Sequence, residues 1–175
     1  SPDGKNLVLG DFNGVVKIMD AADGKSLGTL DGHEGFINLI VFLEDKKTLV
    51  TADSKGSVFF WNFQTRKKLP SREIALGEHA HPAITPDGKT LVSARYEKEG
   101  LLLDIWDTAN RKRTATIDGG SRGVLAVAIA PDGKSAFSSD RDDDGFIWDL
   151  TGKKQRGTLV GHGREIFDFA LTSDG

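Results

Sequence analysis

Thr48-Leu49-Val50-Thr51-Ala52, then Asp53-Ser54-Lys55-Gly56, then Ser57-Val58-Phe59-Phe60-Trp61-Asn62: two short runs rich in β-branched and aromatic residues, joined by four residues of turn chemistry. The stretch reads as a β-hairpin. A polar break follows from Phe63 to Lys68, then a third run, Arg72-Glu73-Ile74-Ala75-Leu76, and a short fourth, Pro82-Ala83-Ile84. Strands and turns of this size fill one unit, and the unit repeats. Residues 124–130, 135–139, 145–150 and 155–160 parse in the same way.

The repeat has its own punctuation. Pro2-Asp3-Gly4-Lys5, Pro86-Asp87-Gly88-Lys89 and Pro131-Asp132-Gly133-Lys134 recur, with weaker copies at Glu44-Asp45-Lys46-Lys47 and Ser173-Asp174-Gly175. The Asp residues fall at 3, 45, 87, 132 and 174, spacings of 42, 42, 45 and 42 residues. A fixed period of this length marks supersecondary units that need neighbours to bury their faces. No segment sustains a 3.6-residue apolar period, so the fold class is all-β. The uninterrupted apolar run at 124–130 predicts a strand buried on both faces, as where sheets stack on sheets. A radial stack of four-stranded antiparallel sheets meets these constraints and exposes only short edges.

The 175 residues are 38% hydrophobic and 28% charged, a globular balance, and 21 glycines suit a chain of many tight turns. A formal net charge of −3 gives no basic footprint, so nucleic-acid binding is not expected. The chain has no cysteine, which excludes disulfides and thiolate metal sites and leaves the compartment open, the cytoplasm slightly favoured. It has no apolar run long enough for a membrane-spanning helix.

Gly32-His33 and Gly161-His162 precede two of the turn markers, and Trp106-Asp107 and Trp148-Asp149 close third-strand runs, with Trp61-Asn62 a near match. Gly-His followed some way on by Trp-Asp, in phase with the turn markers, resembles the WD-repeat β-propeller family. The resemblance covers essentially residues 1–175, as one propeller segment of about four WD-type repeats. It implies blades of four strands: three strands before the first Gly-His, three full sets, and a last strand at 165–171. WD rings most often have seven blades, so an excerpt of a larger seven- or eight-bladed ring is expected. The alternative is a dimer that completes an eight-bladed ring, because an open arc leaves blade faces free to self-associate.

In that family a His, a Ser or Thr, an Asp and the Trp form a buried hydrogen-bonded tetrad. Carried over, His33, Thr51 and Trp61 form the best set, with Lys55 in the place of the Asp. Ser93 and Trp106 match in the next repeat, where Glu78 replaces the His and Tyr96-Glu97-Lys98-Glu99 lengthens the hairpin. Ser138 and Trp148 match in the last, with Asp142 or Asp144 available and Gly120 replacing the His. In the first repeat Leu9, Asn13 and Met19 stand for Ser, Asp and Trp. Packing, more than tetrads, is therefore expected to hold the blades.

No nucleophile or acid–base constellation and no cofactor motif is legible, so the expected function is non-catalytic. The reading is a scaffold that binds protein or peptide through its top face. The competing readings are a propeller domain of an enzyme whose catalytic part lies outside this chain, and a calcium-stabilised module. The second rests on Asp140-Arg141-Asp142-Asp143-Asp144-Gly145, whose alternate Asp140, Asp142 and Asp144 have the spacing of a cation loop. Its twelfth position is Thr151 rather than Glu, and an acidic hairpin turn is the simpler reading. Glu78 with His79 and His81 is a weaker metal candidate. Arg66-Lys67-Lys68 and Arg111-Lys112-Arg113 read as solvated turns. By the same resemblance, the top rim carries Glu34, Phe36, Lys55, His79, Tyr96, Arg122, Arg141 and Arg164 as candidate binding residues.

Overall fold

Two kinds of turn, each built on an Asp or Asn side chain, set the strand register. In Thr85-Pro86-Asp87-Gly88-Lys89, the Gly88 N–H donates to Thr85 O (2.8 Å) and the Lys89 N–H to Asp87 Oδ1 (3.0 Å), with Gly88 at φ 69°. The same bonds recur around Asp3 and Asp132. In the weaker copy Lys46 takes the glycine's left-handed position at φ 55°, and Asp45 accepts from the Lys47 and Thr48 N–H groups. The Lys89 N–H and the Thr85 hydroxyl hold the Asp87 carboxyl down at about 2. The second turn type follows each third strand: Asp20, Asn62, Asp107 and Asp149 accept from backbone N–H groups two or three residues on. The Asp of each Trp-Asp pair is thus a turn cap.

The computed structural model describes residues 1–69, 73–77, 80–97, 100–118, 126–139, 145–161, 164, 166, 169 and 171, with Tyr96 and Glu97 placed by backbone only. Contacts divide the chain into two compact units, Ser1–Glu78 and His79–Gly175. In the first, β1 (Asn6–Gly10), β2 (Val16–Asp20) and β3 (Ser26–Leu30) form a sheet in that order. β4 (Ile37–Phe42), β5 (Thr48–Asp53), β6 (Ser57–Asn62) and β7 (Lys67–Lys68) form the next, with β8 (Ile74–Ala75) also on β6. In the second unit, β9 (His81–Ile84), β10 (Thr90–Glu97), β11 (Gly100–Asp107) and β12 (Lys112–Asp118) form one sheet. β13 (Ala126–Ile129), β14 (Ser135–Ser139), β15 (Gly145–Asp149) and β16 (Lys154–Leu159) form the other. All pairings are antiparallel, and no helix occurs among the described residues.

Each unit is a two-sheet stack with its core between the layers. In the first, Leu49, Phe59 and Trp61 of the second sheet pack on Val16, Ile18 and Leu30 of the first, with Val8 beside them. In the second, Ala136, Phe146 and Trp148 pack on Val92, Leu101, Leu103 and Ile105. The Trp61 and Trp148 faces thus each dock on an aliphatic face of the preceding sheet.

Three strand expectations change. The fourth strand of the second sheet is split: β7 pairs with the Trp61 end of β6, Leu69 N still bonds Phe60 O (2.7 Å), and β8 resumes at Val58. Pro70 follows Leu69 and has no N–H to continue a ladder. β13 is half-buried along its length rather than buried on both faces, because it is an edge strand. Tyr96 is not in a loop: β10 runs on to Glu97 and pairs Tyr96 with Leu101. The strand expected at 165–171 and the turn at 173–175 lie largely outside the described residues.

Candidate functional site

The tetrad in the second sheet is complete, and its carboxylate is Asp53. Burying the Trp61 indole strands its N–H unless an acceptor is buried with it. Thr51, fully buried on β5, accepts that N–H at 2.8 Å. Thr51 Oγ1 lies 2.6 Å from His33 Nε2, and His33 Nδ1 lies 2.8 Å from Asp53 Oδ2. Only one proton order satisfies the chain. Trp61 donates to Thr51, Thr51 donates to Nε2 of a neutral imidazole, and Nδ1–H donates to an ionised Asp53. The sequence reading that put Lys55 in the place of the Asp was two residues out of register. Lys55 is exposed, while its N–H and that of Ser57 both bond Asp53 Oδ1 at 3.0 Å.

The first repeat carries the same correction. Asp11, not Asn13, holds the equivalent place, because its Oδ1 accepts from the Asn13 and Val15 N–H groups, each at 2.9 Å. That repeat keeps the turn and lacks the rest: Leu9 is 49% exposed and Met19 only half-buried.

The other two Trp–Ser pairs are hydrogen-bonded. Trp106 donates to Ser93 at 3.1 Å, and Trp148 to Ser138 at 2.9 Å. Beyond Ser93 the third sheet departs from the tetrad. Arg95 stands two residues on from Ser93, and Asp104, 1% exposed, accepts from Arg95 Nε (2.6 Å), Arg113 Nη1 (3.2 Å) and Thr116 Oγ1 (2.5 Å). Arg113 is therefore a partner of a buried carboxylate rather than a solvated turn residue. Sequence reasoning missed this cluster, whose only signal was a lone Asp inside the apolar run of β11.

Folding keeps His33 neutral. Burial lowers its pKa from 6.5, and the hydrogen bond and charge of Asp53, which push upward, do not offset this. Burial raises the Asp53 carboxyl, but the bonds from His33 and from the Ser57 and Glu34 N–H groups bring it below 3.8. Both groups bind fewer protons folded than unfolded, so both contributions are lost as pH falls. For His33 the loss begins near the unfolded value of 6.5, and for Asp53 below 3.8. Urea midpoints should fall between about pH 7.5 and 5.5, with a His33 contribution of at most about 1.4 kcal/mol per pH unit. The same titration on His33→Gln should be flatter by that amount; an identical pH dependence in the two proteins would refute the assignment.

Asp53 also organises the rim above it. Its Oδ2 accepts from the Glu34 N–H (3.2 Å), Ser54 N bonds Phe36 O (2.9 Å), and Ile37 N bonds Asp11 O (3.1 Å). A Cβ on Gly35 would strike Ser54 Oγ and lie 3.0 Å from Lys55 N, so the loops meet backbone to backbone. Three loops converge there and present Phe12 (89% exposed) and Phe36 (43% exposed), ring centroids 6.0 Å apart. Beside them Lys55 Nζ and Glu34 Oε2 form an exposed 3.5 Å pair. The structure brings Glu34, Phe36 and Lys55 together, and Phe12 joins them. Its signal was an aromatic at the position in Asp11-Phe12-Asn13-Gly14 that Ser54 holds in Asp53-Ser54-Lys55-Gly56.

Arg164 is exposed in a bend of the second unit. His79, Arg122 and Arg141 lie outside the described residues, as do Glu78, Gly120, Asp140, Asp142 and Asp144. The side chain of Tyr96 is not described. Among the described residues no group of three His, Cys, Asp or Glu side chains is placed to hold a metal. No helix among them is long and apolar enough to cross a membrane.

The profile of the WD domain, G-beta repeat, matches residues 24–62 and 111–149. Each match starts near the outer strand of one sheet and ends on the Trp-Asn or Trp-Asp of the next. Apoptotic protease-activating factor 1 of Rattus norvegicus is 25% identical over 100% of this chain and 14% of its own length. WD repeat-containing protein 3 of Homo sapiens is 27% identical over 58% of the chain and 11% of its own length. The U3 small nucleolar RNA-associated protein 15 homolog of Gallus gallus is 23% identical over 99% of the chain and 33% of its own length. The chain thus spans a third or less of each of these relatives. With matched repeats at two positions, similarity to WD-repeat proteins and four all-antiparallel sheets, this chain carries WD repeats of the β-propeller type.

Proposed function

We propose that the chain is a segment of one propeller acting as a non-catalytic scaffold, which binds a protein or peptide on the rim of Phe12, Glu34, Phe36 and Lys55. One observation carries the reading: two aromatic rings stand exposed together on loops tied down by backbone bonds, the Phe36 loop through Glu34 N–H to Asp53 and the Phe12 loop through Asp11 O to Ile37 N–H. Exposed aromatics cost free energy in water and recover it when a partner covers them, and a rigid mount lowers the entropy lost on binding. The adjacent Glu34–Lys55 pair supplies polar selectivity at the edge. Arg164, His79, Tyr96, Arg122 and Arg141 of the second unit stay binding candidates on the resemblance alone. Matched relatives are much longer proteins, which fits a binding module serving other domains.

Panning a random peptide library against the immobilised chain tests this. Enriched peptides should lose at least about tenfold in affinity for Phe12→Ala/Phe36→Ala, a loss of about 1.4 kcal/mol or more. The double variant should stay folded, because Phe12 is almost wholly exposed and Phe36 partly so. Equal affinity for both proteins would move the binding site elsewhere.

A further inference from the structure

Four residues after each third-strand cap, Asp20, Asn62, Asp107 and Asp149, the chain turns through a left-handed residue. In the first repeat it is Gly24, at φ 71°. In the others it is Arg66, Arg111 and Lys153, at 57°, 56° and 53°. A side chain at such a φ strains the backbone, and glycine would relieve it. A long cation held there points to a role beyond the turn. Arg66 has a structural one, since its Nη1 donates to the Leu27 carbonyl oxygen of the preceding sheet. Arg111 and Lys153 are exposed and make no ion pair or side-chain hydrogen bond among the described residues.

Lys153 lines a cleft of about 390 Å³ in the second unit, where the β15–β16 turn meets the β11–β12 end of the preceding sheet. Ile105, Trp106 and Ala109 give the cleft its apolar lining, and Lys89 its second cation. Asp107 also lines it, but its carboxylate is held in the turn. Its Oδ1 accepts from the Ala109 and Asn110 N–H groups (2.9 and 3.0 Å), and its Oδ2 from the Asn110 side-chain amide (2.9 Å). Lys89 pairs with Asp87 at 3.1 Å, yet its side chain is 82% exposed and free to turn toward a ligand. Both walls come from consecutive sheets of one unit, so the cleft needs no further blade to form. Lys112, Lys154 and Arg156 extend the positive charge along the outer strands β12 and β16. Protection of a sheet edge explains lysines on outer strands, but Lys153 lies in the turn, where no edge needs it.

We infer that this cleft is a second binding site, which takes an acidic peptide: an apolar side chain enters over Ile105 and Ala109 while neighbouring carboxylates meet Lys89 and Lys153. Asp87, Asp107 and Asp149 lie on the same turns as these cations and would repel an unbroken run of phosphates, which favours a peptide over nucleic acid. The site is separate from the Phe12–Phe36 rim, which belongs to the other unit.

Fluorescein-labelled peptides, each with one leucine or phenylalanine among glutamates, should bind the chain in anisotropy titrations and weaken as salt is raised. Lys89→Gln/Lys153→Gln should reduce their affinity at least about tenfold, and the double variant should fold, because both side chains are exposed. Phe12→Ala/Phe36→Ala should bind them as the wild type does. Lys153→Gly should keep or raise the urea midpoint, since glycine suits φ 53°, and still weaken the peptides. A merely structural Lys153 would not separate stability from affinity in this way. The inference is overturned if no such peptide binds, if the lysine variants bind equally well, if the rim variant loses the peptides, or if an oligothymidine binds as tightly as they do.

Discussion

Asp53→Ala should lower the stability of the first unit by about 4 kcal/mol, read as a fall in urea midpoint with little change in slope. The carboxylate accepts four hydrogen bonds: His33 Nδ1–H and the N–H groups of Glu34, Lys55 and Ser57. Water can reach the Lys55 and Ser57 groups once the side chain is cut back. It reaches His33 poorly, whose side chain is fully buried. That ring would then hold a buried donor with no acceptor, and its link to Thr51 and Trp61 would lose its anchor. Asp11→Ala is the matched control, because Asp11 makes the same two turn bonds without a histidine behind it. It should cost clearly less. Equal losses from the two variants would mean that the turn, not the tetrad, accounts for the effect. The substitution should also release the Glu34 loop, so Asp53→Ala should weaken rim binding through backbone order, where Phe12→Ala removes contact.

How much of this was legible depends on whether a feature is local. The 42-residue period and the hairpins follow from residues close in sequence, and the sheets are built on them. The Trp–Ser and Trp–Thr pairs, implied by the resemblance, meet directly across single hairpins. The tetrad carboxylate failed by two residues, to Lys55 instead of Asp53 and to Asn13 instead of Asp11. Turn composition shows that an Asp is wanted but not which residue of the short connection aims inward. The strand parity decides that: Thr51 and Asp53 share a face of β5, so only Asp53 can stand beside the same histidine. With the carboxylate restored, the premise for packing over tetrads no longer holds in the second sheet. The Asp104 cluster was illegible for another reason. Arg95, Arg113 and Thr116 come from two strands flanking β11, and their convergence depends on register, including the shift between Ile105 and Trp106. Phe12 was overlooked because exposure of an aromatic next to a glycine turn is a property of the folded loops, not of the dipeptide.

Gly56→Ala should be as damaging as the loss of Asp53, at about 3–5 kcal/mol, through geometry alone. Gly56 sits at φ 84°, where an L-residue is strained by roughly 1–2 kcal/mol. The larger share is steric. A Cβ there would overlap the Gly77 carbonyl oxygen and lie 2.6 Å from that residue's carbon and nitrogen. Backbone cannot rotate away as a side chain can, and the segment is tied down: Leu76 N bonds Gly56 O at 2.8 Å, while Ala75 and Ile74 pair with Ser57 and Val58. Relief would have to peel β8 from the second sheet and uncover Ile74, which is 3% exposed. Gly24→Ala separates the two contributions, because Gly24 has φ 71° and open space around its Cβ position. It should cost about 1 kcal/mol, the backbone strain by itself. A Gly56→Ala penalty no greater than that of Gly24→Ala would show that β8 yields freely, and that the outer edge of the second sheet adds little to the stability of the unit.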